Sequence, residues 1–269
     1  MYENFFGLRE SPFNMTPDPR FVYFSRHHLE ALSNLLYGVE SRRGFIQITG
    51  EIGAGKTTIC RTLLNKLEGK AHTSLLFNPR LSEFEVLQAI VEDFGITPPG
   101  KKRKHYFDAL NNFLIEESQK GFNAVAIIDE CQLLSPKALE QVRLLSNLET
   151  PIHKLLQIIL VGQPELKDLL NRPCLKQLRQ RITIRYHLPE LSREDVRNYI
   201  AHRLTVAGAE RNFFSEEAGE LIYHLSSGIP RVINVLADRA LMAAFTQNST
   251  VVTQQMVECA QADLEGVHV

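Results

Sequence analysis

A three-layer αβα domain with a five-stranded parallel sheet, followed by a small all-α domain, is the fold class that this sequence predicts. Two observations carry it. Between about residues 28 and 189, short apolar runs alternate with amphipathic stretches of helical spacing. Apolar runs of that length fit parallel strands whose two faces are covered by helices. After Pro189 the strand signal stops, and the remaining segments have the spacing of helices alone. A chain of 269 residues accommodates one large and one small domain.

The elements follow in order. Residues 1–25 hold Ser11-Pro12, Thr16-Pro17 and Asp18-Pro19 among the aromatics Phe5, Phe6, Phe13, Phe21, Tyr23 and Phe24. Prolines oppose regular helix and the aromatics need burial, so this reads as an extended arm laid across a domain. Leu29, Leu32, Leu35, Leu36 and Val39 predict a helix over 28–39 with those residues on its apolar face. Strands are predicted at 45–49, 74–77, 124–128, 157–161 and 182–186, and helices at 56–67, 82–94, 106–119 and 136–148. Helices at 192–207, 215–226, 230–245 and 253–264 complete the chain. Ser192 and Ser215, each followed by acidic residues, are good helix starts. The expected division is an arm at 1–25, an αβα domain at 26–190 and a helical domain at 191–269.

Composition weighs against several function classes. The formal net charge is -1, so no global field draws the chain to nucleic acid or an anionic surface. Cys60, Cys131, Cys174 and Cys259 are scattered without a CxxC pair, which indicates neither a zinc site nor a disulfide framework. The residues after Met1 lack a leader's basic and apolar regions, and the longest apolar runs are too short to cross a bilayer. A cytoplasmic chain is the expectation, with an inner-membrane association through a partner or a downstream segment left open.

The chemistry lies in five places. Gly50-Glu51-Ile52-Gly53-Ala54-Gly55-Lys56-Thr57 matches GxxxxGK[ST] between a predicted strand and a predicted helix, which is the context a phosphate loop requires. Its backbone amides can cradle phosphates, Lys56 can reach the β and γ phosphates, and the Thr57 hydroxyl can ligate Mg²⁺. Thr58 completes the nucleotide-binding set. The apolar run Val125-Ala126-Ile127-Ile128 ends in Asp129-Glu130, two carboxylates whose burial demands partners. Asp129 would hold the metal and Glu130 would deprotonate the attacking water. Gln163, at the tip of the fourth strand, can sense the γ-phosphate or position that water. Arg179 and Arg181 precede the last strand; either can serve a neighbouring subunit's site, and solvated surface charge is the alternative. Arg231, in Gly228-Ile229-Pro230-Arg231, can reach the γ-phosphate from the helical domain.

This order of motifs resembles the AAA+ ATPases. More closely, Phe6-Gly7-Leu8, Pro12-Phe13, Thr16-Pro17-Asp18-Pro19-Arg20-Phe21, Gly162-Gln163-Pro164-Glu165-Leu166 and Arg185-Tyr186-His187-Leu188 are similar to the secretion ATPases of the ExeA/GspA type. The resemblance implies a P-loop NTPase fold with sheet order 5-1-4-3-2, an arm near the adenine and a helical lid. It also implies ATP and Mg²⁺ as ligands and function as a ring or dimer. The implied partners are secretion or surface-assembly machinery, with a peptidoglycan link through regions outside this chain; the near-neutral net charge, separately, weighs against nucleic acid. Cys131 departs from the alanine usual after the acidic pair. Two other readings stand beside it: a DNA-associated ATPase like the transposition helpers, and a nucleotide-dependent scaffold with little hydrolysis. Lys101-Lys102-Arg103-Lys104 reads as a solvated linker, and Phe13, Phe21 and Tyr23 as packing residues more than adenine stackers.

Overall fold

The computed structural model describes residues 1–15, 18–77 and 80–265, so the Thr16-Pro17 portion of the arm lies outside them. The chain divides into two compact units. A sheet unit comprises His27–Gly50 and Lys56–Leu188; a helical unit comprises Met1–Arg26, Glu51–Gly55 and Pro189–Val269.

In the sheet unit, β1 (Phe45–Gly50), β2 (Ala71–Leu76), β3 (Asn123–Ile128), β4 (Leu156–Gly162) and β5 (Ile182–Leu188) pair in the order β2-β3-β4-β1-β5. All neighbouring pairs are parallel. This is the order that the resemblance implies. β1 and β4 are buried along their whole length and β3 from Ala124 onward, which is why they read as continuous apolar runs. The register sets Ile128 beside Leu160 and Thr49 beside Gly162, so the C-terminal tips of β3, β4 and β1 lie side by side.

Helices α2 (Arg26–Glu40), α3 (Lys56–Leu67), α4 (Glu83–Asp93), α5 (Arg103–Gln119) and α6 (Pro136–Leu145) fall where periodicity places them. The apolar face of α2 is shifted. His28, Ala31, Leu32, Leu35 and Val39 are buried, while Leu29 is 52% exposed. The buried positions 31, 32, 35 and 39 stand three, four, seven and eleven residues after His28, so His28 heads the buried stripe and the first leucine falls beside it on the outer face. β2 begins three residues before its expected start, because only alternate residues near its end are buried and an edge strand needs no continuous apolar run. Two short helices between β4 and β5, α7 (Glu165–Leu170) and α8 (Lys176–Arg181), were not expected; six residues give less than two turns of periodicity. Arg103 and Lys104 open α5, so half of the basic run is helical rather than linker.

The helical unit joins α9 (Arg193–Val206), α10 (Glu216–Ser226), α11 (Pro230–Thr246) and α12 (Gln254–Glu265) to the N-terminal segment. That segment is less extended than expected, since Tyr2–Phe6 form a short helix, α1, ahead of the first proline. Its aromatics are core. Phe6, Phe13 and Phe21 are buried, and Phe6 packs on Phe213, Phe5 on Phe245 and Phe13 on Phe214. The buried guanidinium of Arg203 donates to the Pro12 carbonyl at 2.6 Å and the Asn14 carbonyl at 3.1 Å, and lies 5.0 Å from the Phe21 ring centroid. The Tyr2 hydroxyl donates to Asp238 at 2.5 Å; burial, then that carboxylate, push its pKa upward. Among the described residues no helix is long and apolar enough to cross a membrane.

Arg203 is thus the charged anchor of the N-terminal segment. Arg203→Ala should lower unfolding stability by about 2–4 kcal/mol, because the buried Pro12 carbonyl and the partly buried Asn14 carbonyl lose a charged donor. A urea midpoint unchanged from the native chain would refute the anchor.

Candidate functional site

The glycine loop lies where strand β1 gives way to helix α3. β1 ends at Gly50, Glu51–Gly55 form the turn, and Lys56 opens α3. Gly53 and Gly55 have φ of +82° and +102°, the left-handed region that side chains resist. Gly53 is required twice, since a Cβ there would come 2.5 Å from the Cβ of Arg231. Arg231, in the first turn of α11 behind Pro230, therefore lies directly against the loop within the helical unit. Ala54 is buried and its N–H donates to the Glu51 carbonyl at 3.2 Å, closing the turn; Ile52 is 54% exposed. Lys56 is only 5% exposed and its Nζ donates to the Gly50 carbonyl at 2.7 Å. Thr58 is half-buried two positions further along α3.

The acidic pair follows β3. Asp129 is 3% exposed, and its N–H continues the sheet by donating to the Leu76 carbonyl at 2.9 Å. The Thr57 hydroxyl donates to its Oδ2 at 2.8 Å, and the Glu130 N–H donates to its Oδ1 at 2.8 Å. The hydroxyl and carboxylate assigned to Mg²⁺ are thus already neighbours. These hard oxygens, few in number, suit a cation that keeps most of its waters and shares phosphate oxygens. Glu130 has φ +54° and ψ +37°, a left-handed conformation costing about 1–3 kcal/mol for a residue with a side chain. Such strain turns its side chain out of the strand direction just where β3 ends. Behind it, the Cys131 thiol donates to the Ile128 carbonyl at 3.0 Å and is fully buried. Burial raises the Cys131 and Cys60 pKa values well above the thiol range, so both pack as neutral groups. The small residue at 131 fills space, as alanine would.

Gln163, one residue past β4, donates from Nε2 to Glu130 Oε2 at 3.0 Å. Gln132, which sequence reasoning missed, donates to the same oxygen at 2.5 Å and accepts the Gln163 N–H at 3.1 Å through Oε1. The only sequence signal was its place two residues after the acidic pair. The arginines separate. On α8, Arg181 donates to Asn147 Oδ1 at 2.7 Å and also to Ser146 Oγ, whereas exposed Arg179 donates to Asn171 Oδ1 at 2.9 Å. Within the sheet unit, Lys56, Thr57, Asp129, Glu130 and Gln163 occupy the adjoining ends of β1, β3 and β4.

A model of the AAA domain family matches residues 39–170, from the end of α2 through α7. Among solved structures, the chain is similar to the Aeropyrum pernix ORC2 protein in its ADPNP-ADP complexes, with a TM-score of 0.69 at 18% identity, over 97% of this chain and 72% of that one. Drosophila ORC bound to DNA is similar with a TM-score of 0.71 at 17% identity, over 96% of this chain and 65% of that one. At such identities the likeness is one of fold. With the sheet order and glycine loop, these matches define the class: the fold is that of an AAA-type P-loop NTPase, which implies nucleotide binding. The chain is also similar to General secretion pathway protein A of Aeromonas hydrophila, with 44% identity over 269 residues, 99% of this chain and 49% of that protein. It therefore spans about half the length of that curated relative. The resemblance to AAA+ ATPases of the ExeA/GspA type holds.

The loop geometry is testable directly. Gly53→Ala adds backbone strain and a clash with Arg231, and should weaken ATP binding about tenfold, since about 1.4 kcal/mol is lost. Native affinity in a fluorescent-nucleotide titration would contradict that role for the loop conformation.

Proposed function

We propose that this chain binds ATP with Mg²⁺, hydrolyses it to ADP and phosphate, and uses the change to order or energise assembly of a secretion or cell-surface export system. The observation that carries the chemical part is the Thr57–Asp129 contact, with Glu130 beside it held by Gln163. The secretion role is supported by likeness to General secretion pathway protein A over nearly the whole chain.

In this reading the loop amides and Lys56 bind the β and γ phosphates of the substrate. Thr57 and Asp129 would hold Mg²⁺, which supplies neutralisation of charge on the phosphate oxygens. Glu130 orients a water and takes its proton as the water oxygen bonds to the γ-phosphorus. The bond from that phosphorus to the β–γ bridging oxygen breaks, and ADP leaves with the electron pair. Gln163 aligns the attacked group from the neighbouring strand tip. Arg231, already against Gly53, would bring a further charge to the phosphates that the loop holds.

The arginine that completes the site in a second copy of this chain is Arg179. It is exposed and carries a single described side-chain hydrogen bond, to Asn171, whereas Arg181 is committed to the end of α6. A cation that must cross to a neighbour has to be accessible and cheap to release.

Three measurements on the full chain test the proposal. Lys56→Ala should abolish ATP binding, and Glu130→Gln should keep binding while turnover falls about 10²–10⁴-fold. Equal phosphate release by the native and Glu130→Gln chains would remove Glu130 from the mechanism. Turnover per chain should also rise with protein concentration, and Arg179→Ala should abolish that rise while Arg181→Ala spares it. A concentration-independent rate would argue against a shared site.

A further inference from the structure

The side chain of Gln132 closes a ring with the two residues just assigned to hydrolysis. Its Nε2 donates to Glu130 Oε2, its Oε1 accepts the Gln163 backbone N–H, and the Gln163 side chain returns to the same Glu130 oxygen. Only a primary amide of this length provides a donor at one end and an acceptor at the other. A glutamate would have no donor and would repel Glu130, and an asparagine is one methylene short.

Two further features are built around that amide. The short 3-10 turn after Glu130, closed by the Leu133 N–H on the Glu130 carbonyl at 2.9 Å, brings residue 132 back toward residue 130. On the facing strand, Gly162 has no side chain where one would intrude: a Cβ there would come 2.8 Å from Gln132 Oε1 and 2.9 Å from Leu166 Cδ2. The strand tip thus leaves room for the glutamine, and the left-handed backbone of Glu130 aims its carboxylate into the same space.

We infer that Gln132 is a positioning residue for hydrolysis: it fixes the Glu130 carboxylate and ties it to the tip of β4. The inference rests on the ATPase reading above and deepens it. Both amide donors converge on Oε2, so neither occupies Oε1, the oxygen left to receive the water proton. A Gln163 amide recruited to the γ-phosphate leaves Gln132 as the donor that still restrains Glu130. Without it, three side-chain torsions of Glu130 are released, and misplacement by about 1 Å costs roughly a hundredfold in rate. The bond to the Gln163 N–H carries the same restraint to the strand that reads the phosphate.

The test measures steady-state phosphate release and ATP affinity in the full chain. Gln132→Ala and Gln132→Glu should lower kcat about ten- to a hundredfold while KM and Kd for ATP stay within about twofold. Gly162→Ala, which pushes on Gln132 without removing it, should reproduce part of the loss. In a Glu130→Gln background, Gln132→Ala should have no further effect, because the group being positioned is gone. A kcat unchanged or raised by Gln132→Ala overturns the inference, as does a full additional loss in the Glu130→Gln background. Turnover that needs Glu130 but not Gln132 sinks this inference alone. Turnover indifferent to both sinks the hydrolysis reading with it.

Discussion

Burying a carboxylate costs several kcal/mol unless polar groups replace its water, and Asp129 is 3% exposed at the end of a buried strand. The Thr57 hydroxyl and the Glu130 N–H supply two replacements. The first requires the start of α3 to lie against the end of β3, although β4 separates β3 from β1 in the sheet. The parallel order β3-β4-β1 meets that demand by bringing three strand ends to one edge, from which α3 departs. The sheet order and the apolar runs of β1, β3 and β4 can all be read as conditions for seating this one buried carboxylate among its donors.

A second constraint sits on the next residue. Glu130 pays in backbone strain for leaving the strand direction, and the cost is tolerated because Gln132 and Gln163 hold the side chain where the strain puts it. The neighbouring groups are arranged for rigidity: Cys131 is a neutral, fully buried filler, and Gly162 makes room for Gln132. A loose acidic pair would be a poor base whatever its charge, because geometry precedes proton affinity in this chemistry.

Much of this was legible in the sequence, and the gaps have physical causes. The phosphate loop was readable because its spacing and its place between strand and helix are both constrained. The strands of the sheet centre were readable because both faces are buried. Gln132 was not, since a polar residue in a turn carries no periodicity and its role depends on Gln163, thirty-one positions away. Leu29 misled because a leucine on an exposed face obeys no pattern, while His28 took the buried position on composition alone unreadable. α7 and α8 were too short to announce themselves, so the different surroundings of Arg179 and Arg181 on α8 emerged only from their hydrogen bonds.

The charges near the loop also explain why nucleotide and cation must enter together in the proposed cycle. With a net charge of -1, the chain as a whole offers an anion no steering. Within the sheet unit, attraction has to be local, from Lys56 and the positive end of α3. Against it stand Asp129 and Glu130, two carboxylates at the neighbouring strand end. A bare polyphosphate would face both, and neither carboxylate can move far, one being buried and the other held by two amides. In the proposed cycle, a divalent cation held by Thr57 and Asp129 would reverse the sign at the point where repulsion would be greatest. In the proposed cycle, the rigidity that would suit Glu130 to orient a water is therefore the same property that would favour a metal-bound nucleotide.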